Sequence, residues 1–170
     1  LRRGQLENRL VQADINSLSF GGDTFDYAVA ADVFQDYSTF DNLVDGLKSI
    51  TRVVKNKGRI LVINPTAESY TVETKRFDCS KFPENVAAVK LGMGREVKGT
   101  MKAVGQGGEK LEFDFVDHVW KDRDLEKAFK LAGLKKVAKA RPKASDEAGR
   151  DWISETTTSP WVVYLLEIYK

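Results

Sequence analysis

Apolar positions along this chain follow two rhythms. Phe40, Leu43, Val44, Leu47, Ile50 and Val54 recur every three or four residues, the spacing of one buried helical stripe, and predict a helix over residues 39–57. Ser38 or Thr39 can cap its start with a hydroxyl. Lys55 and Lys57 give it a basic last turn, and Gly58 follows as a stop that tolerates the left-handed conformation. The flanking runs FDYAVAA (25–31) and RILVIN (59–64) are apolar on consecutive positions, as in strands buried on both faces. A shorter run, LVQAD (10–14), closes on an acid and predicts a strand ending at a functional edge. Residues 17–24 (SLSFGGDT) read as a loop. Strand, loop, strand, helix, strand with buried runs describes an α/β fold with a parallel sheet.

Beyond Pro65 the pattern changes. Residues 66–94 are mixed, broken by Pro83, Gly92 and Gly94, with a short helix over 84–91. Two strand-like segments, 96–104 and 110–119, flank Gly105-Gln106-Gly107-Gly108. Leu111, Phe113 and Phe115 alternate with Glu112 and Asp114, the mark of an antiparallel hairpin with one wet face. A helix over 124–132 stops at Gly133, and a weak strand spans 135–140. Residues 142–159 form a polar loop with room for one helical turn around Trp152, and 160–169 (PWVVYLLEIY) is the most strand-like segment. Residues 1–8 read as the end of a helix and a turn.

Composition narrows the function. With 170 residues, 42% hydrophobic and 31% charged, the chain suits one globular domain rather than disorder or two full domains. Its 27 basic and 25 acidic side chains give no argument for nucleic acid or a membrane surface as partner. No apolar run approaches a membrane span. The single Cys79 excludes an internal disulfide and fits a reducing cytoplasm, the expected location. One histidine (His118), one cysteine and unclustered acids cannot build a metal site, and no Gly-x-Ser-x-Gly elbow offers a hydrolase nucleophile. His118 reads as a structural residue, and Cys79 has no neighbour that would activate its thiol.

Two blocks carry a resemblance. In VQADINSLSFGGDTFDYAVAADVFQDY (11–37), Asp14, Leu18, Phe20, Phe25 and Asp26 stand where class I S-adenosylmethionine-dependent methyltransferases have D-x-x-x-L-P-F-x-x-x-x-F-D-x-V. Ser19 replaces the proline. LKSITRVVKNKGRILVINP (47–65) is similar to the family's R-V-L-K-P-G-G before a strand, with Arg52, Lys55 and Gly58 matching and Lys57 in place of the first glycine. LEKAFKLAGLKKV (125–137) and SPWVVYLLEIYK (159–170) resemble, more loosely, the family's last helix and final strand.

The resemblance implies a Rossmann-like methyltransferase sheet, mostly parallel with an antiparallel C-terminal strand, and lacking its first two strands in this chain. It also implies a partial methyltransferase domain over 1–170 with an insertion or lid at about 66–120. The expected cofactor is S-adenosylmethionine. Asp14 would accept from the adenine amino group, the Ile15 N–H would face a ring nitrogen, and Ala30 and Ala31 would let the ligand approach the backbone. The plainer alternatives are an Asp14 that bonds its own turn, and alanines that serve strand–helix packing. Asp26 reads as structural. Tyr70, Phe77, Phe82, Met93 and Met101 could line an acceptor pocket or form the insertion's own core. No catalytic residue is assigned.

The family's cofactor-cradling glycine loop and its ribose-binding acid lie upstream of the first block, and nothing before Asp14 can supply them. The strand over 25–31 would then keep an exposed edge. The missing strands would be disordered, deleted or supplied by another copy, which makes a homodimer one expected arrangement. The functional expectation is methyl transfer to a small-molecule acceptor by the intact protein, the fragment alone being inactive. The alternative is a non-catalytic fold remnant or partner subunit that acts as a binding module. A nicotinamide-dependent enzyme on the same sheet would need a nucleotide fingerprint that is not here.

Overall fold

A computed structural model describes residues 10–145 and 151–169; the helix end expected over 1–8 lies outside them. The elements run β1 (Phe25–Ala31), α1 (Phe40–Val53), β2 (Val54–Pro65), β3 (Phe77–Asp78) and α2 (Asn85–Leu91). They continue with β4 (Arg95–Val104), β5 (Lys110–Val119), α3 (Asp122–Leu131), β6 (Leu134–Ala140) and β7 (Trp161–Ile168). Short 3-10 turns occupy Ile15–Ser17, Phe34–Asp36 and Ala67–Thr71.

The main sheet has the order β1-β2-β7-β6. β1 and β2 are parallel, and β7 is antiparallel to both β2 and β6, so three strands run one way and the C-terminal strand runs against them. The expected α/β sheet with its antiparallel final strand is present. The register aligns Ala30, Val62 and Tyr164 across the strands, and likewise Ala28, Ile60 and Leu166. On that face α1 contributes Leu43, Leu47 and Ile50, and α3 contributes Leu125, Ala128 and Phe129, to one buried cluster. The stripe read from the sequence is therefore the face α1 buries, and Thr39 caps it by accepting from the Asn42 N–H at 3.3 Å.

Three expectations about this sheet need correction. β1 is not buried on both faces: Tyr27 is 72% and Val29 67% exposed, because among the described residues both large helices lie on the opposite face. Residues 10–14 form no strand, and Leu10 and Val11 are exposed; an apolar run becomes a strand only where a neighbour pairs with it. The long helix ends at Val53, not near Gly58. Pairing passes from Phe25↔Val54 to Tyr27↔Arg59, so the residues between bulge out. The left-handed conformation falls on Lys57 at φ 62°. Gly58 is needed for room instead: a Cβ there would stand 2.6 Å from Val54 Cγ1 and 2.8 Å from the backbone oxygens of Asp26 and Lys55.

Residues 66–120 build a second sheet, β3-β4-β5, with α2 and the Ala67–Thr71 turn packed on it. Its own core holds Ala67, Tyr70, Cys79, Val97 and Val119, with Phe77 and Phe115 against it. Buried Asn85 ties three of its pieces together. Its amide donates to the carbonyls of Tyr70 (2.9 Å) and Lys98 (2.7 Å) and accepts from the Lys98 N–H (2.9 Å). The predicted alternation of β5 does not keep one face dry: Leu111 and Phe113 are 43% and 50% exposed, since α2 and the turn cover only the other end of the hairpin. Around Trp152 there is a turn at 154–157 rather than a helix.

A side chain with φ 62° bears a steric cost that glycine does not. Lys57→Gly should raise unfolding stability by about 1 kcal/mol in urea titration. Gly58→Ala should lower it by about 1–3 kcal/mol, because backbone oxygens cannot yield to the new methyl.

Candidate functional site

Among the described residues β1 has no neighbour on one edge, and an apolar groove of about 400 Å³ borders it, lined among others by Ala13, Ile15, Ala28, Ala30 and Val33. The 3-10 turn Ile15–Ser17 forms its rim, fixed in place because the Tyr37 hydroxyl donates to Asn16 Oδ1 at 3.0 Å. Asp14 caps that turn: its Oδ1 accepts from the Asn16 N–H at 2.9 Å. The plainer role foreseen for Asp14 is thus filled by one oxygen, and Oδ2 has no bond among the described residues. Of the four predicted cofactor residues, the fold brings Ile15 and Ala30 into one groove and sets Asp14 between two of its lining residues. Ala31 is exposed and does not line it.

The carboxyl ends of β1 and β2 lead to a second constellation. Asp32 leaves β1 with φ 50° and its N–H bonded to the Ile63 carbonyl at 3.0 Å. Three residues on, the Gln35 carbonyl accepts from His118 Nδ1 at 3.2 Å; because a carbonyl only accepts, that nitrogen carries the proton. Two residues further along each segment, Trp120 Nε1 donates to the Tyr37 carbonyl at 3.1 Å. These two bonds dock the end of β5 on the 34–37 turn and bring Asp117 beside it. Asp117 Oδ2 accepts from the buried Tyr70 hydroxyl at 2.8 Å. His118 is structural, as expected from sequence.

Burial pushes the Asp117 carboxyl above its ordinary value; the Tyr70 hydroxyl offsets part of this, and the charges of Asp36 and Asp32 add to it. Asp32 is also raised by burial, and a hydrogen bond from the Trp161 side chain pulls the other way. Burial, then Asp117, drives the Tyr70 phenol well above its usual range. The Cys79 thiol is pushed up to about 12, by burial first and by Asp117 and Asp78 next, so it is a packing residue rather than a nucleophile. No group of three or more His, Cys, Asp or Glu residues suited to a metal occurs among the described residues.

Sequence reasoning missed Asp32 and Asp117. Asp117 did leave a signal, as an acid continuing the apolar positions Leu111, Phe113 and Phe115 and preceding Val119. Of the aromatic and sulfur side chains left open above, Tyr70 and Phe77 belong to the second core, while Met93 and Met101 are 47% and 38% exposed.

Residues 1–62 match the methyltransferase domain family. A crystal structure of an S-adenosylmethionine-dependent methyltransferase from Clostridium acetobutylicum superposes with a TM-score of 0.62 at 12% identity, over 98% of this chain and 69% of that one. The CcbJ methyltransferase from Streptomyces caelestis gives 0.60 at 15% identity, over 94% and 63%. The 1,6-didemethyltoxoflavin-N1-methyltransferase of Burkholderia thailandensis, solved with bound 1,6-didemethyltoxoflavin and S-adenosylhomocysteine, gives 0.53 at 12%, over 98% and 56%. Among curated proteins none matches. The chain has the fold of class I S-adenosylmethionine-dependent methyltransferases, as the motif blocks implied, and spans roughly two thirds or less of the length of most of these solved chains. No helix among the described residues is long and apolar enough to cross a membrane.

The Asp117 environment sets a pH signature. Between the ordinary carboxyl value of 3.8 and its raised one, the folded state binds more protons than the unfolded state, so Asp117 lowers stability as pH rises through that window. Asp117→Asn keeps an acceptor for Tyr70 and removes the charge. It should be the more stable protein at pH 7 in denaturant titration, with the difference closing at pH values below 3.8.

Proposed function

We propose that this chain is part of an enzyme that transfers a methyl group from S-adenosylmethionine to a small-molecule acceptor. The observation that carries the reading is the pair of parallel strands β1 and β2 whose carboxyl ends meet a second sheet, with an apolar groove on one side of β1 and a polar cluster at its end. In open α/β sheets ligands occupy the crevice beyond the carboxyl ends of the strands.

The groove suits the adenine end of the cofactor. Ile15, Ala28 and Ala30 offer flat apolar contact, and the unbonded oxygen of Asp14 would accept from the exocyclic amine. The Ile15 N–H would serve a ring nitrogen, and Ala31 would leave the backbone approachable at the strand end. S-adenosylmethionine supplies an electrophilic methyl on a sulfonium; the protein's part is to hold the acceptor in line with it and to exclude water. Residues 66–120 would act as a lid over the acceptor. The glycine loop and the acid for the methionine and ribose ends are not among these 170 residues, and affinity depends on such few, well-placed polar groups. A binding module without catalysis is the second reading, favoured by the unpaired apolar edge of β1.

Calorimetry with S-adenosylhomocysteine separates the two. The 170 residues alone should bind weakly or not at all. A form in which a strand and a Gly-x-Gly-x-Gly loop precede Leu1 should bind, and Asp14→Ala in it should weaken binding by about 1–3 kcal/mol through the lost hydrogen bond. Failure of the longer form to bind supports the binding module, and tight binding by the short chain overturns the placement of the site.

A further inference from the structure

The polar cluster at the carboxyl ends of β1 and β2 is one-sided in its chemistry. The charges of Asp32 and Asp36, both exposed, act on half-buried Asp117 there, and none of the three has an ion-pair partner among the described residues. Elsewhere the chain pairs its acids readily, as in Asp122 with Lys139 and Arg141, or Glu126 with Lys136. Two further groups at the same strand ends are buried acceptors without a partner: Gln35 Oε1 and Asn64 Oδ1. Gln35 and Asn64 are 9% and 2% exposed, and the turn carrying Gln35 packs on both β2 and β5. Asn64 uses its amide N–H on the Pro65 carbonyl at 3.2 Å, which leaves its oxygen unanswered. The donors present are already committed: the Tyr70 hydroxyl to Asp117 Oδ2, the Trp161 side chain to Asp32, His118 Nδ1 to the Gln35 carbonyl, and Trp120 Nε1 to the Tyr37 carbonyl. What remains unanswered and buried is the pair Gln35 Oε1 and Asn64 Oδ1, and a buried acceptor without a donor is costly.

We infer that this cluster is the recognition site for a nitrogen acceptor, a protonated amine or similar N–H cation, held between Asp117 and Asp32. The inference rests on the methyl-transfer reading for its chemical consequence, and on the charge and hydrogen-bond census for the ligand class. An acceptor that enters as an anion, such as a carboxylate, would meet three like charges. An ammonium group brings several donors and a positive charge to oxygens that lack both.

The same placement gives Asp117 work in the reaction. A protonated amine has no free electron pair, so its nitrogen must lose a proton before it can attack a methyl carbon. Asp117 Oδ1, which has no bond among the described residues, receives that proton and becomes a neutral acid. The freed pair forms the N–C bond while the C–S bonding pair stays on sulfur, and the positive charge passes to the methylated nitrogen. A carboxyl lifted by burial holds a proton better than an exposed one, which suits this exchange.

Benzylamine and benzoate test the inference, sharing a ring and opposing each other in charge at pH 7. Carboxyl carbon NMR of the protein should show benzylammonium shifting Asp117 and Asp32 and lowering the pH at which they titrate, in the presence of their neighbours Asp36, Tyr70, Cys79 and His118. Benzoate should leave both unmoved. Asp117→Asn and Asp32→Asn, each nearly isosteric, should weaken benzylammonium binding about tenfold. Equal responses to the two probes, no response to the amine, or unchanged affinity in both variants would overturn the site. S-adenosylhomocysteine titration of the longer form is run in parallel. Nucleoside binding with no amine binding leaves methyl transfer standing and removes this inference; amine binding without nucleoside binding leaves a cation site and removes the methyl-transfer premise.

Discussion

The docking of the end of β5 on the 34–37 turn is the contact on which the rest of the arrangement depends. Trp120 is 2% exposed and belongs to the core of the main sheet, although its strand belongs to the other one. Its indole N–H and the His118 ring N–H both satisfy backbone carbonyls of a turn that leaves β1. A buried tryptophan of this kind is worth about 3–5 kcal/mol against alanine, and here that energy also fixes an orientation. Gly94 shows how closely the pieces fit: a Cβ there would lie 2.7 Å from Trp120 Cζ2. This seam sets Asp117, one residue before His118, beside the 34–37 turn.

A second clasp works from the opposite side. Arg141, just after β6, joins Glu68 in the Ala67–Thr71 turn to Asp122 at the start of α3, at 3.0 and 2.7 Å. Asp122 also accepts from the Tyr164 hydroxyl at 2.9 Å and from Lys139. Burial alone would raise the Asp122 carboxyl, yet these three donors hold it below its ordinary value. Partly buried networks of this kind gain more from complete hydrogen bonding than isolated surface pairs do. The two sheets are thus joined by a tryptophan on one side and by a satisfied carboxylate on the other. The carboxylates at the strand ends are the contrast: Asp117 accepts from Tyr70 and Asp32 from Trp161, but neither has an ion-pair partner among the described residues.

The main sheet is asymmetric as well. α1 and α3 cover one face, while Tyr27 and Val29 on the other face of β1 stay in solvent. An unpaired apolar edge of this kind invites another strand, whether from a longer chain or from a second copy. The groove along that edge is the same one that places Ile15 beside Ala30. The proposed adenine contact and any pairing at that edge therefore bear on the same strand.

By itself the sequence determined the elements whose period is strong and whose partners are close. The stripe of α1, the runs of β1, β2 and β7, and the β4–β5 hairpin were all legible, because apolar periodicity reports burial directly. The motif blocks likewise carried the fold family. It was the tertiary structure that decided the rest. Residues 10–14 have strand chemistry and no strand beside them, and pairing is a property of the neighbour. Lys57 took the left-handed position and Gly58 the crowded one, a division set by the bulge between β1 and β2. Asp32 and Asp117 are 85 positions apart (117 minus 32) in the numbering; no local pattern links them. Only the Trp120 and His118 contacts bring those charges to one place, because electrostatic coupling depends on distance through space rather than along the chain.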